Sequence, residues 1–236
     1  MGALEAVARI VELGGAPARA ARVAEMRSRF EERTGAFAPE DAWFEERFRA
    51  FWCDAVTRGR FGRAVEAELT VEERGWLEPL ERSHRGLFRA DRGVLVDAWS
   101  GAELAVTLVD DVSRAELEAS AGQLFDGRVA GRLSASTDEA PSRGDGPSSP
   151  PAAPLVVVLL PGALFHPRDA AVAIETVLAA ARARALPTDD VLDALMRMER
   201  ALRSLSRVKP GYAYRPEALD TPAPHAVTRR AARGAP

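Results

Sequence analysis

His84, His166 and His225 are the imidazoles of this sequence, and Cys53 is its single thiol. His166 stands just before Pro167 at a predicted helix start. There the positive end of the helix dipole lowers an imidazole pKa, so a neutral ring could act as a base or ligand. The plainer reading, a capping or loop histidine, is preferred. His84 reads as closing a helix, where a protonated ring complements the dipole, and His225 falls in a polar tail. Cys53 comes late in an aromatic helix beside Asp54, without the basic neighbour or helix N-terminus that favours thiolate. It reads as a buried structural cysteine.

Carboxylates and arginines offer the next chemistry. Asp126 and Arg128 alternate on a predicted strand and are assigned to its solvent face, while Asp97 and Trp99 are assigned to opposite sides of another strand. Two carboxylates and an arginine could position a substrate. A surface cross-strand ion pair, worth well under ~1 kcal/mol, explains the same pattern and is preferred. Arg200, Arg203 and Arg207 fall on one helix face, within a basic C-terminal region that also holds Arg197, Lys209, Arg215, Arg229, Arg230 and Arg233. That face could meet an acidic partner or a phosphate backbone, although few aromatics interleave to stack bases. Trp99, Asp126, Arg128, His166, Arg200, Arg203 and Arg207 are therefore the candidate contact residues, and no catalytic residue is assigned. The sequence contains no G-x-S-x-G, P-loop, H-E-x-x-H or G-x-G-x-x-G pattern. Scattered histidines and one thiol make a poor ligand set for zinc, so no metal or cofactor is expected.

The elements that must hold these residues follow from periodicity. Helices are predicted through Leu4, Val7, Ala8 and Val11 (stopped by Gly14-Gly15), over 16–33, from Pro39 to about Gly59 and over 63–69. Phe44, Phe48, Phe51, Trp52 and Val56 form one stripe of the third, and Trp43 widens the aromatic set into two packing faces or a partner patch. Thr70-Val71-Glu72-Glu73 is a capping box opening a helix to about Ser83, with a kink or early end at Pro79. From Gly86 the period changes: 87–90, 94–99 and 102–108 read as three short strands joined by Gly-containing turns, and 122–133 as a fourth. Residues 112–120 suggest one or two helical turns. Residues 134–154, rich in Ser, Pro, Gly, Asp and Glu, are predicted to be disordered. Leu155 to Leu160 is a continuous apolar run suited to a strand buried on both faces. Pro167 then starts one helix, and Thr188-Asp189-Asp190 caps another.

The expected class is thus α+β: N-terminal helices over 1–85, a small antiparallel β-meander or partial barrel over 86–166, a helical hairpin over 167–208 and a flexible tail over 209–236. The 236 residues can bury a core without staples, and a formal net charge of -3 gives no general pull toward nucleic acid or anionic membrane. No apolar run reaches the ~20 residues of a membrane helix, and the N-terminus lacks the pattern of a secretory signal, so a cytoplasmic location is expected. The scarcity of lysine, Lys209 alone, beside abundant arginine and alanine fits a GC-rich bacterial genome.

The segments Phe48-Arg49-Ala50-Phe51-Trp52-Cys53-Asp54, Gly86-Leu87-Phe88, 94–101 (VLVDAWSG) and Gly122 with Asp126-Gly127-Arg128 resemble an uncharacterised bacterial domain, helices plus a small β-barrel, sometimes found beside SEC-C zinc motifs. The resemblance covers the central third and implies a fold, with no activity attached. The cysteines of the zinc motif are absent, so no metal carries over. The expected function is a non-enzymatic interaction or regulatory protein whose partner is another protein. The alternatives are an enzyme with a polar site near Asp126, Arg128 and His166, and weak nucleic-acid binding through the C-terminal arginines.

Overall fold

The computed structural model describes residues 2–91, 94–105, 117–118, 120–133, 155–205 and 208–221, and the fold is α+β. Helix α1 (Ala3–Gly14) buries Ala3, Ala6, Val7 and Ile10 at helical spacing. Gly14 sits on its buried side because a Cβ there would lie 2.4 Å from the Trp52 ring. Helix α2 (Ala20–Thr34) follows a short 3-10 turn, and α3 (Phe44–Val56) carries the aromatic stripe. Helix α3 starts five residues after Pro39, because the Asp41 carboxylate accepts the Ala38 amide and holds residues 39–43 in turns. The stripe packs as one continuous cluster: Phe44 stacks on Phe48, Phe48 meets Phe51 and Trp52, and these reach Phe30 and Phe61.

Helix α4 (Phe61–Ala64) and a 3-10 turn at Glu66–Glu68 occupy the predicted fourth segment. The capping box closes as the sequence pattern requires, with the Glu73 amide donating to Thr70 Oγ1 and the Thr70 amide to Glu73 Oε2. It opens only a short helix, α5 (Val71–Arg74). The break falls at Gly75-Trp76, ahead of Pro79, and α6 (Leu77–Glu81) carries that proline in its first turn, where a missing N–H costs nothing. His84 opens strand β1; it does not close a helix.

The strands are β1 (His84–Asp91), β2 (Val94–Asp97), β3 (Glu103–Ala105), β4 (Leu124–Leu133), β5 (Leu155–Leu159) and β6 (Leu164–Phe165), all antiparallel, in the order β3-β2-β1-β4-β5 with β6 also on β4. The hydrogen-bonded path is an open sheet, not a closed barrel, though it coils enough to bring β3 and β5 within 8 Å. Gly86 and Gly127 face each other across β1 and β4, with the Phe88 and Phe125 rings over them, where a Cβ would lie 2.7 and 3.0 Å from ring carbons. Strand β2 ends at Asp97, so Trp99 belongs to the following turn and not to a strand face. The predicted stretches 106–108 and 112–116, the loop 134–154 and the tail 222–236 lie outside the described residues.

Strand alternation divides the core. Phe88, Leu95, Phe125, Val129 and Val157 fill the inside of the coiled sheet. Leu87 and Leu124 project the other way onto α7 (Ala171–Ala183) and α8 (Thr188–Ser204), while Ala130 and Val158 meet α1 and α3. β5 is buried on both faces, as its unbroken apolar run requires. Residues 209–221 are not a free tail. Helix α9 (Pro210–Ala213) and a 3-10 turn at Pro216–Leu219 dock on α7 and α8, burying Ala213, Tyr214 and Leu219.

Candidate functional site

Asp126 and Arg128 do not face solvent; they are 6% and 9% exposed. The polar side of β4 is covered by α2, α3 and α8, and its charges survive there because each meets an opposite charge. Arg128 donates to Asp54 of α3 at 2.7 Å, Asp54 accepts from Arg33 of α2 at 2.5 Å, and Arg33 donates to Asp193 of α8 at 2.9 Å. Asp193 accepts from Arg85 of β1 at 2.6 Å, and Arg85 grips both oxygens of Asp126 at 2.6 and 3.0 Å. The alternating chain Arg128–Asp54–Arg33–Asp193–Arg85–Asp126 begins and ends on one strand, two residues apart. Burial works against charge on Asp193, yet Arg85 and Arg33 outweigh it and hold the carboxyl below the usual carboxylate range. The same holds in reverse for the buried Arg85 guanidinium, which Asp126 and Asp193 raise well above its ordinary value. A void of about 20 Å³ touches Cys53, Asp54, Arg85, Asp126 and Arg128. That is room for one water, not for a substrate.

His166 belongs to a second buried cluster. It is 0% exposed, its Nδ1 is 2.8 Å from the Tyr214 hydroxyl, and its Nε2 has no partner. Burial, reinforced by the nearby Arg47 and Arg203 charges, pushes the imidazole pKa down to about 3. Arg47, itself fully buried, donates to the Thr34 and Met196 carbonyls and to Glu199, which also meets Arg203. Burial holds the Arg47 pKa below its ordinary value although Glu199 opposes it. The structure therefore brings Asp126 and Arg128 into one network, and among the described residues no hydrogen bond or ion pair joins His166 to either.

The remaining candidates are dispersed. Trp99 lies on the turn after β2 under the Arg182 guanidinium, 5.1 Å from the ring centroid, while Arg182 also donates to the Ala98 and Trp99 carbonyls. Arg200 donates to the Ala36 carbonyl and Arg203 to Glu46, so this part of the basic helix face points at the 34–46 segment. Arg207 lies outside the described residues. His84 sits 3.3 Å from Asp97, which raises the imidazole pKa. The Cys53 thiol is pushed up to about 12 by burial. Among the described residues no group of acids, histidines and cysteine could hold a metal ion, and no helix is long and apolar enough to cross a membrane.

A recess of about 510 Å³ opens between α1, α3 and the β5–β6 turn, walled by Val7, Val11, Phe48, Trp52, Leu160 and Phe165. Its floor is set by Gly162, which at φ +96° lies so close to α3 that a Cβ would meet the Arg49 carbonyl oxygen at 2.7 Å. Two charged side chains border it. Glu46 is engaged by Arg203, whereas Arg49 is exposed and has no hydrogen-bond or ion-pair partner among the described residues. A wider groove of about 900 Å³ runs along α2, where Arg22, Glu25, Arg29 and Glu32 line it as a solvated face and Arg33 and Asp54 bring two members of the ion chain to its wall. Sequence pattern alone assigns neither the ion chain nor the recess. The interior position of Asp54 and Asp193, each set among buried apolar neighbours on its helix, was the available signal for the chain. Comparisons with family models, with curated proteins and with solved structures found no match.

Proposed function

We propose that this chain is a non-enzymatic interaction protein that exerts a regulatory role by taking up a small apolar molecule in the recess between α1, α3 and the β5–β6 turn. One observation carries the reading: an apolar hollow of about 510 Å³, the size range of small-molecule sites, lies beside Arg49, a cation with no ion-pair partner among the described residues. The groups able to do acid–base or nucleophilic chemistry support it because they are paired, sealed or un-ionised, Cys53 included although it lines the recess. His166 is sealed against Tyr214, Asp126 and Arg128 are locked in ion pairs beside a water-sized void, and Cys53 is held as the thiol.

Thermal unfolding against a panel of small apolar and amphipathic compounds tests this, with wild type compared to Ala8→Trp. Ala8 is an exposed residue on the recess wall, so the indole fills the hollow without disturbing the core. A true ligand at a hundred times its Kd stabilises wild type by about 2.7 kcal/mol and leaves Ala8→Trp unmoved. Absence of any stabilising compound, or hits that act equally on both proteins, defeats the reading. Recovery of a hit chemically altered after incubation favours an enzyme instead.

A further inference from the structure

Resting on that reading of the recess, we infer that its ligand is an amphipathic anion: an alkyl or aryl body between α1 and the β5–β6 turn, with its acidic head on the Arg49 guanidinium. The wall is apolar, so the body of the ligand must be apolar to gain from leaving water. The aromatic pair Phe48 and Trp52, edge to face at 6.2 Å, gives it a rigid surface on which a chain or ring can lie.

The head group follows from charge. Among the described residues Glu46 and Arg49 are the charged side chains on the wall, and they are not equivalent. The Glu46 carboxylate is neutralised by Arg203 at 2.8 Å, an α8 residue that also meets Glu199. Arg49 meets no acid among the described residues, although most buried and half-buried arginines of this chain do. The recess therefore carries one uncompensated positive charge at its edge. A cationic ligand is disfavoured there, a neutral one gains nothing from it, and an anionic one gains a charge-assisted, two-pronged hydrogen bond of the kind guanidinium makes with carboxylate or phosphate. Arg49 projects from exposed helix surface, so it can turn toward a head group without unfolding anything.

Titration of the full chain with decanoate, decyl phosphate, decanol and decyltrimethylammonium below their micellar concentrations, followed by calorimetry, tests this. Decanoate or decyl phosphate should bind at least about tenfold more tightly than decanol, and decyltrimethylammonium least. Which of the two anions is preferred separates a carboxylate from a phosphate source. Arg49→Gln should bring the anion affinities down to that of decanol and leave decanol unchanged, while Ala8→Trp should abolish all binding. Equal affinity for decanoate and decanol, or an Arg49→Gln protein that keeps the preference, overturns the anion assignment while leaving the recess as a binding site. Failure of all four compounds to bind overturns both.

Discussion

The interior arginines and aspartates set the energetics of this protein residue by residue. Placing a carboxylate in the interior costs several kcal/mol before pairing, and a paired interior charge that loses its partner costs about 3–5 kcal/mol. Asp193 meets three guanidinium groups, those of Arg33 and Arg85 closely and that of Arg58 at 3.7 Å. Asp193→Asn leaves Arg85 paired with Asp126 and Arg33 with Asp54, so it should lower the free energy of unfolding by about 1–3 kcal/mol in denaturant titration. Asp189→Asn, which removes only a loose 3.9 Å contact at the surface, should change it by less than about 0.5 kcal/mol. Equal midpoints for the two variants would contradict the assignment of charge to the chain. His166 adds a pH dependence of definite sign. Its folded pKa of about 3 lies below the value of 6.5 for a free imidazole, so the unfolded chain binds the extra proton between those limits. Its contribution is complete above pH 6.5 and is lost as pH falls toward 3, at about 1.4 kcal/mol per pH unit. Unfolding measured from pH 7 to pH 4.5 should fall less steeply in His166→Phe than in wild type by about that slope. His84 acts in the opposite sense: Asp97 raises its pKa, so its stabilisation is present below pH 6.5 and fades as pH rises through the elevated value.

At the scale of elements, most of the fold was legible because period is a local property. Glycine turns bounding short runs located β1 and β2, alternation located β4, an unbroken apolar run located β5, and the 3.6-residue repeat located α1, α2, α3, α7 and α8. The failures share one cause: local pattern does not say what arrives from elsewhere to cover a polar face. Asp126 and Arg128 read as wet because alternating polar residues usually are, and Asp193, which closes the chain on Arg85, lies 108 residues away along the sequence. Residues 209–221 read as tail because they are rich in proline and polar groups, yet one aromatic, Tyr214, reaches a buried imidazole and anchors the segment. The recess was invisible for the same reason, being shared among α1, α3 and a turn over 100 residues later. That turn has its own test. Gly162 combines a positive φ with contact to the α3 backbone, so Gly162→Ala adds strain and a clash with atoms that cannot swing aside. A loss of about 1–3 kcal/mol is expected, with weaker ligand uptake as the β5–β6 turn lifts from α3. Unchanged stability would show that the turn is not seated there.

Across the whole molecule, the ion chain draws one side chain each from α2, α3, α8 and β1 and two from β4, so helical and β portions share charges as well as apolar contacts. Unfolding one portion alone would strand charges in the other. Tryptophan fluorescence and far-ultraviolet circular dichroism should accordingly report a single coincident transition in denaturant; two separated midpoints would mean that the layers are independent. The same linkage bears on descent. Any one neutralising substitution among positions 33, 54, 85, 126, 128 and 193 leaves the three arginines and three aspartates with a net charge inside the protein, whereas replacing oppositely charged neighbours together with apolar residues is close to neutral. Kindred sequences should therefore keep the six as a block or exchange them in matched pairs, so inheritance at these sites is expected to move by double steps.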